Sequence, residues 1–127
     1  LVVPKAAGPA AIRAVLTRCQ AAGFGSFLSV LKLFGPADPG FLSFPRPGYT
    51  LTLDFPVSRS LFPLLDALDQ VVLEHGGRVY LTKDMRLPGE TFRQMYPAWE
   101  QFVAVKQRVD PQEKLASLQA RRLGLVS

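Results

Sequence analysis

An α+β fold is predicted for this chain by three features of its sequence. Ile12, Val15, Leu16 and Cys19 recur at the i, i+3, i+4, i+7 spacing of one helix face. Tyr49, Leu51, Leu53 and Phe55 alternate with Thr50, Thr52 and Asp54, the period of a half-buried strand. The third feature is order: strand, helix, strand, strand, helix, strand, then a helical tail.

Each element has its own signature. Leu1 to Pro4 reads as a strand stub. Pro9 suits the first turn of a helix, where its missing N–H costs nothing, and Gly23 suits the end, so a helix is predicted over about residues 9–22. Leu16 lies mid-stripe and is expected to anchor it. From Ser26 to Phe34 the pattern alternates, with Phe27, Leu31 and Leu33 on one side and Leu28, Val30, Lys32 and Phe34 on the other. A long loop follows, from Gly35-Pro36 to Pro47-Gly48, dense in turn residues, and loops of this length are often functional. It connects to the Tyr49–Phe55 strand, and the two strands are expected to pair as a hairpin.

Ser60 is a predicted N-cap for a second helix that turns Leu61, Leu64, Leu65, Leu68, Val71 and Val72 inward, with Leu68 as its anchor. Gly76-Gly77 ends it. Arg78 to Thr82 reads as a fourth, short strand, followed by a helical turn near Glu90–Met95, a helix near Ala98–Arg108 and a helical piece over Pro111–Leu123. Two split β-α-β units in this order build a ferredoxin-like antiparallel sheet with both crossover helices on one face. That leaves Lys32, Phe34, Thr50, Thr52 and Asp54 on the other face, where a cation, an aromatic ring and hydroxyls meet beside the Pro/Gly-rich loop. Such a face suits either a covered ligand or plain solvent.

Composition narrows the function classes. The 127 residues are 48% hydrophobic and 20% charged, as in a globular domain, and residues 1–127 are read as one unit. The net charge is +5, but the basic residues are dispersed and only Arg121-Arg122 are adjacent, so nucleic acid is not the expected partner. No apolar run reaches the roughly 20 residues of a membrane span. With neither an initiator Met nor a signal-peptide pattern, the sequence reads as a piece of a longer, cytoplasmic chain. One cysteine, Cys19, allows no internal disulfide and fits a buried helix face.

Self-sufficient catalysis is not expected. His75, the one histidine, falls in the last turn of the second helix, where a cation is favoured by the dipole. Metal-ligand clusters and phosphate-cradling glycine motifs are absent from the sequence. The distinctive stretch is Thr82-Lys83-Asp84-Met85-Arg86 at a strand end. A lysine there suits an anionic or electron-rich partner, while a surface lysine paired with Asp84 is the plainer alternative.

A series of ordered blocks adds to this reading. Among them are Lys32-Leu33-Phe34-Gly35-Pro36, Leu53-Asp54-Phe55-Pro56, Gly76-Gly77-Arg78-Val79-Tyr80, Lys83-Asp84-x-Arg86, Met95-Tyr96-Pro97 and Ala120-Arg121-Arg122-Leu123. Together they resemble the C-terminal part of the decaprenylphosphoryl-β-D-ribose 2′-oxidase-like FAD-linked sugar oxidoreductases, among the vanillyl-alcohol-oxidase-like flavoproteins. The resemblance implies a substrate-side cap domain whose FAD is bound mainly by an absent upstream domain, and a sugar or sugar-phosphate-type substrate oxidised by hydride transfer to flavin. It implies that Lys83 is catalytic and, with Thr82, lies at the flavin, and that Lys32, Phe34, Thr50 and Thr52 line the substrate pocket. Thr50 stands where members of that family carry an asparagine and Thr52 where they carry a cysteine. The parity of a regular strand would turn Lys83 with Val79 and Leu81, away from the open face. A non-catalytic ferredoxin-like module binding a ligand or a protein is the competing expectation.

Overall fold

The computed structural model describes residues 1–127. Strands β1 (Val2–Pro4), β2 (Ser29–Phe34) and β3 (Gly48–Leu53) form an antiparallel sheet in the order β1-β3-β2. Helices α1 (Gly8–Ala21) and α2 (Leu61–Glu74) are the crossovers, and α3 (Gly89–Met95), α4 (Trp99–Val109) and α5 (Leu118–Leu123) form the tail. The fold is α+β with the ferredoxin-like order that the sequence predicts.

The hairpin register matches the alternation: Lys32 pairs with Thr50, Leu31 with Leu51 and Leu33 with Tyr49. On the far side of β3, Val2 pairs with Thr50 and Pro4 with Gly48. Gly48 is required there because a Cβ would overlap the Val3 carbonyl.

The predicted fourth strand is much reduced. Arg78 and Val2 exchange both backbone hydrogen bonds at 2.9 Å, forming a single bridge on the outer side of β1. The chain then leaves the sheet and winds into a 3-10 turn over Leu81–Lys83. Strand parity therefore does not extend to Lys83. The ladder ends early because the backbone groups of the next residues are used elsewhere: the Tyr80 carbonyl accepts the Lys83 N–H at 3.0 Å, and the Val79 carbonyl accepts the Tyr96 hydroxyl at 2.6 Å.

Both crossover helices end on glycine, as predicted. Gly23 and Gly76 adopt φ +73° and +66°, which ordinary residues disfavour. The Phe24 N–H then reaches the Cys19 carbonyl, and the Gly77 N–H that of Val72. Ser60 is not a side-chain cap. Its backbone is already helical and its hydroxyl meets that of Ser58 at 3.1 Å.

Two apolar clusters hold the layers together. The first joins Val15 and Cys19 of α1, Leu51 of β3, and Leu61, Leu64, Leu68 and Val71 of α2. The second joins Val72 of α2 to Leu87, Phe92, Met95, Tyr96, Leu123 and Leu125, and so seats α3 and α5.

Leu68 is buried as expected, but Leu16 is 44% exposed. The buried stripe of α1 is Gly8, Ala11, Val15 and Cys19, turned by one position from the stripe that the large residues suggested. At its start the Tyr49 ring lies directly against Gly8, leaving no room for a Cβ there. Leu68→Ala is therefore expected to cost about 2–5 kcal/mol. Leu16→Ala should cost about 0.5 kcal/mol or less, as at a surface site. Denaturant titration of both variants checks the pair, and equal losses would mean that α1 is rotated toward Leu16.

The C-terminal helix is also shorter than predicted, beginning at Leu118 rather than near Pro111. Asp110 diverts the chain: its carboxylate accepts the Lys114 and Leu115 N–H groups, both at 2.9 Å, and pairs with Lys106. Side-chain bonding of this kind competes with helix continuation. Ser117 then caps α5 by accepting the Ala120 N–H at 3.0 Å, and Gly124 closes it at φ +72°. None of the helices is long and apolar enough to cross a membrane.

Candidate functional site

The site is built on the sheet face opposite α1 and α2. Pairing aligns one row across it: Lys32 on β2, Thr50 on β3, Val2 on β1 and Arg78 at the bridge. Phe34 and Thr52 belong to the same face, one step along their strands in opposite directions. The face is therefore not uniformly open. Thr50, on the central strand, is only 6% exposed, whereas Lys32 and Thr52 are exposed and Phe34 is half-buried.

The long loop roofs one end of this face. Phe44 packs edge-on against Phe34, with centroids 5.8 Å apart, and lies 4.6 Å from the Tyr80 ring. Edge-to-face and tilted contacts of this kind fit the ring quadrupoles. Arg78 Nη1 donates to the Ser43 carbonyl at 2.9 Å, and Arg46 Nη1 to the Gly76 carbonyl at 2.8 Å. Arg78 also lies over the Tyr96 ring at 4.9 Å. Burial, with Arg46 nearby, lowers the Arg78 pKa from its ordinary value, although Tyr96 works the other way.

Phe44, Tyr80 and Arg78 were not picked out as site residues from the sequence. Two of them carried a usable signal. If Arg78 pairs with Val2, it joins the row of Lys32 and Thr50, and Tyr80 follows on the same face. Phe44 carried none, because nothing local shows where a loop this long comes to rest.

Thr82 and Lys83 lie outside the sheet, on the turn that starts where the Phe34–Phe44–Tyr80 row ends. Asp84 fixes the far side of that turn. Its Oδ1 accepts the Arg86 and Leu87 N–H groups at 2.9 and 2.7 Å, and its Oδ2 accepts Arg122 Nη2 at 2.8 Å. Burial alone would raise this carboxyl, but the Arg122 hydrogen bond and the two backbone donors outweigh it and hold the pKa below the usual range. Stability from Asp84 is thus complete above the ordinary carboxylate pKa and is lost as pH falls through its lower folded value.

Lys83 is exposed, as a surface lysine would be, but it does not pair with Asp84, whose carboxylate is committed to Arg122. Lys83 and Lys32 take part in none of the four ion pairs. Arg86 is equally occupied: Nη1 donates to Asp66 at 2.5 Å, and Nη2 lies 2.9 Å from Asp69 Oδ2 but off the hydrogen-bonding line. Burial pushes Asp69 up to about 6 against the pull of Arg86. His75 directs Nδ1 at the Val71 carbonyl, 2.8 Å away, and so serves its own helix end.

These features define an α+β domain that presents two unpaired ammonium groups, hydroxyls and aromatic rings on a sheet face and its adjoining turn, rather than in an enclosed cleft. The chain belongs to the D-arabinono-1,4-lactone oxidase family, which matches residues 52–123, more than half of its length. It is 43% identical over 114 residues to the decaprenylphosphoryl-beta-D-ribose oxidase of Mycolicibacterium smegmatis. Over 115 residues it is 40% identical to an uncharacterized protein in the mprA 5′ region of Streptomyces coelicolor. Each alignment covers 90% of this chain but only 25% and 31% of the respective relative, and in the first it is the C-terminal part that matches.

Proposed function

We propose that the chain is the substrate-side cap of an FAD-dependent oxidoreductase that oxidises a secondary alcohol of a sugar or sugar phosphate. The observation that carries this reading is the free ammonium of Lys83, held on a turn beside the polar sheet face while the adjacent Asp84 carboxylate is engaged by Arg122. Family membership and the similarity to a ribose oxidase support it.

The residues fit a flavin only along one side. Two unpaired cations and an aromatic row suit a ring that gains negative charge on reduction and a polar ligand, but the chain has no glycine-rich segment to hold a pyrophosphate. Bound mainly by an upstream domain, FAD supplies the acceptor for the hydride that leaves the substrate carbon. Lys32 offers a donor to a sugar hydroxyl or phosphate, Thr50 and Thr52 offer hydroxyls, and Phe34 covers the apolar face of the ligand. Thr82 and Lys83 would lie at the flavin, where the Lys83 ammonium would offset the negative charge that the ring gains with the hydride.

The upstream part of the same protein is the partner in this reading. Leu31 and Leu33 were expected to be buried beneath the helices but are 56% and 60% exposed. They sit on β2, at the sheet edge, with α1 packed over β1 and β3 and α2 packed against α1. An apolar edge strand of this kind invites pairing. The remaining three-quarters of the length of the Mycolicibacterium relative is where a covering segment would come from.

Two preparations test the proposal. The 127-residue chain alone should fold but purify without flavin, and the full-length protein should carry FAD that is bleached anaerobically by a secondary sugar alcohol. Stoichiometric flavin on the isolated chain would overturn the division of labour. A full-length protein without flavin would overturn the function.

A further inference from the structure

The Lys83 side chain enters no ion pair and no hydrogen bond within the chain, so the region that its ammonium can reach is set by the backbone of its turn. That backbone is gripped from a distant part of the sequence. Gln119 Nε2 donates to the Leu81 carbonyl at 2.6 Å and to the Asp84 carbonyl at 3.2 Å, the residues that bracket Thr82 and Lys83. Arg122 Nη1 donates to the Leu87 carbonyl at 2.6 Å, and Nη2 to Asp84 Oδ2 at 2.8 Å. Gln119 and Arg122 are i, i+3 on α5 and share one helix face.

The platform beneath them is firm. α5 is capped at both ends, and buried Leu123 fixes it in the second cluster with Leu87 and Phe92. From the other side, Arg86 ties the same segment to Asp66 and Asp69 of α2. Two side chains from 35 and more residues away are thus spent on this turn's carbonyls and its one buried carboxylate.

We propose that Gln119 and Arg122 are positioning residues, which set the Lys83 ammonium against the electron-accepting ring by clamping the Leu81–Leu87 backbone. The inference rests on the reading that Lys83 acts at the flavin. Neither residue touches the reacting atoms. Their effect should be steep because a displacement of about 1 Å at a reacting centre costs on the order of 100-fold in rate.

The test uses the full-length flavoprotein and a probe that requires no turnover. Sulfite adds to the oxidised ring and leaves net negative charge on it, so its affinity reports how well a nearby cation is placed. Gln119→Met keeps the side-chain length and removes every bond that Nε2 donates, while Arg122→Lys keeps the charge and removes the fork. Lys83→Ala should weaken sulfite binding by about tenfold or more, and Gln119→Met should do the same with flavin content and melting temperature near wild type. In the Lys83→Ala background, Gln119→Met should have no further effect, because there is no ammonium left to misplace. Wild-type sulfite affinity in Gln119→Met alongside weakened affinity in Lys83→Ala overturns the clamp. So does a Gln119→Met effect of equal size in both backgrounds, which would mark a general loosening. If Gln119→Met does not fold, Arg122→Lys carries the same comparison with the same two overturning results. Wild-type affinity in Lys83→Ala would instead remove the underlying assignment of Lys83.

Discussion

Lys83→Ala in the full-length protein is expected to slow flavin reduction by on the order of 100-fold or more while leaving substrate affinity and folding nearly intact. The turn that carries Lys83 is held by backbone and by Asp84, Gln119 and Arg122, none of which needs the lysine side chain. Truncation therefore removes a charge and leaves the scaffold standing. The loss should fall on the rate rather than on binding, since the charge to be stabilised develops only as the hydride moves. Lys83→Arg is expected to recover little, because a planar fork does not reproduce a compact ammonium. Anaerobic stopped-flow measurement of flavin bleaching decides it. Wild-type rates in Lys83→Ala, with ordinary affinity, would take Lys83 out of the active site.

The largest loss of stability is expected at Phe92. Its side chain is fully buried, its ring stacks on Tyr96 at 5.4 Å, and it lies in the cluster that joins α2, α3 and α5. Phe92→Ala should cost about 3–5 kcal/mol, from lost transfer energy and from a cavity that the rigid neighbours cannot fill. Because α5 also holds the Lys83 turn, the same variant should raise hydrogen exchange at Leu81–Leu87 more than in β2 and β3. Denaturant titration followed by native-state exchange checks both parts. A loss under about 1 kcal/mol would place Phe92 outside the load-carrying cluster.

Much of the fold was legible in residue order. The alternation in β2 and β3 predicted that they pair and which residues share a face, and the register then sets Lys32 opposite Thr50. Helix ends were readable wherever a glycine had to adopt positive φ, as at Gly23 and Gly76. Failures cluster where a contact far along the chain overrides a local pattern. Leu16 looked like an anchor because periodicity counts large apolar residues, yet the buried stripe runs through Gly8, Ala11, Val15 and Cys19, with the Tyr49 ring pressed against Gly8. Leu31 and Leu33 alternate correctly, but no local signal reveals that β2 is the sheet edge.

The candidate site divides along the same line. Lys32, Phe34, Thr50 and Thr52 could be assigned to one face from sequence because strand alternation has a fixed period of two. That period could not be carried to Lys83, since the fourth strand stops after one bridge and a 3-10 turn replaces it. The sequence by itself therefore determined the layer order, the family blocks and the composition of the sheet face, all of which are encoded within a few residues of one another. Only the tertiary structure decided that Asp84 serves Arg122 rather than Lys83, that Phe44 roofs the face and that α5 grips the turn. These are hydrogen bonds and packing contacts between segments about 35 residues or more apart, and they exist only once the chain has closed on itself.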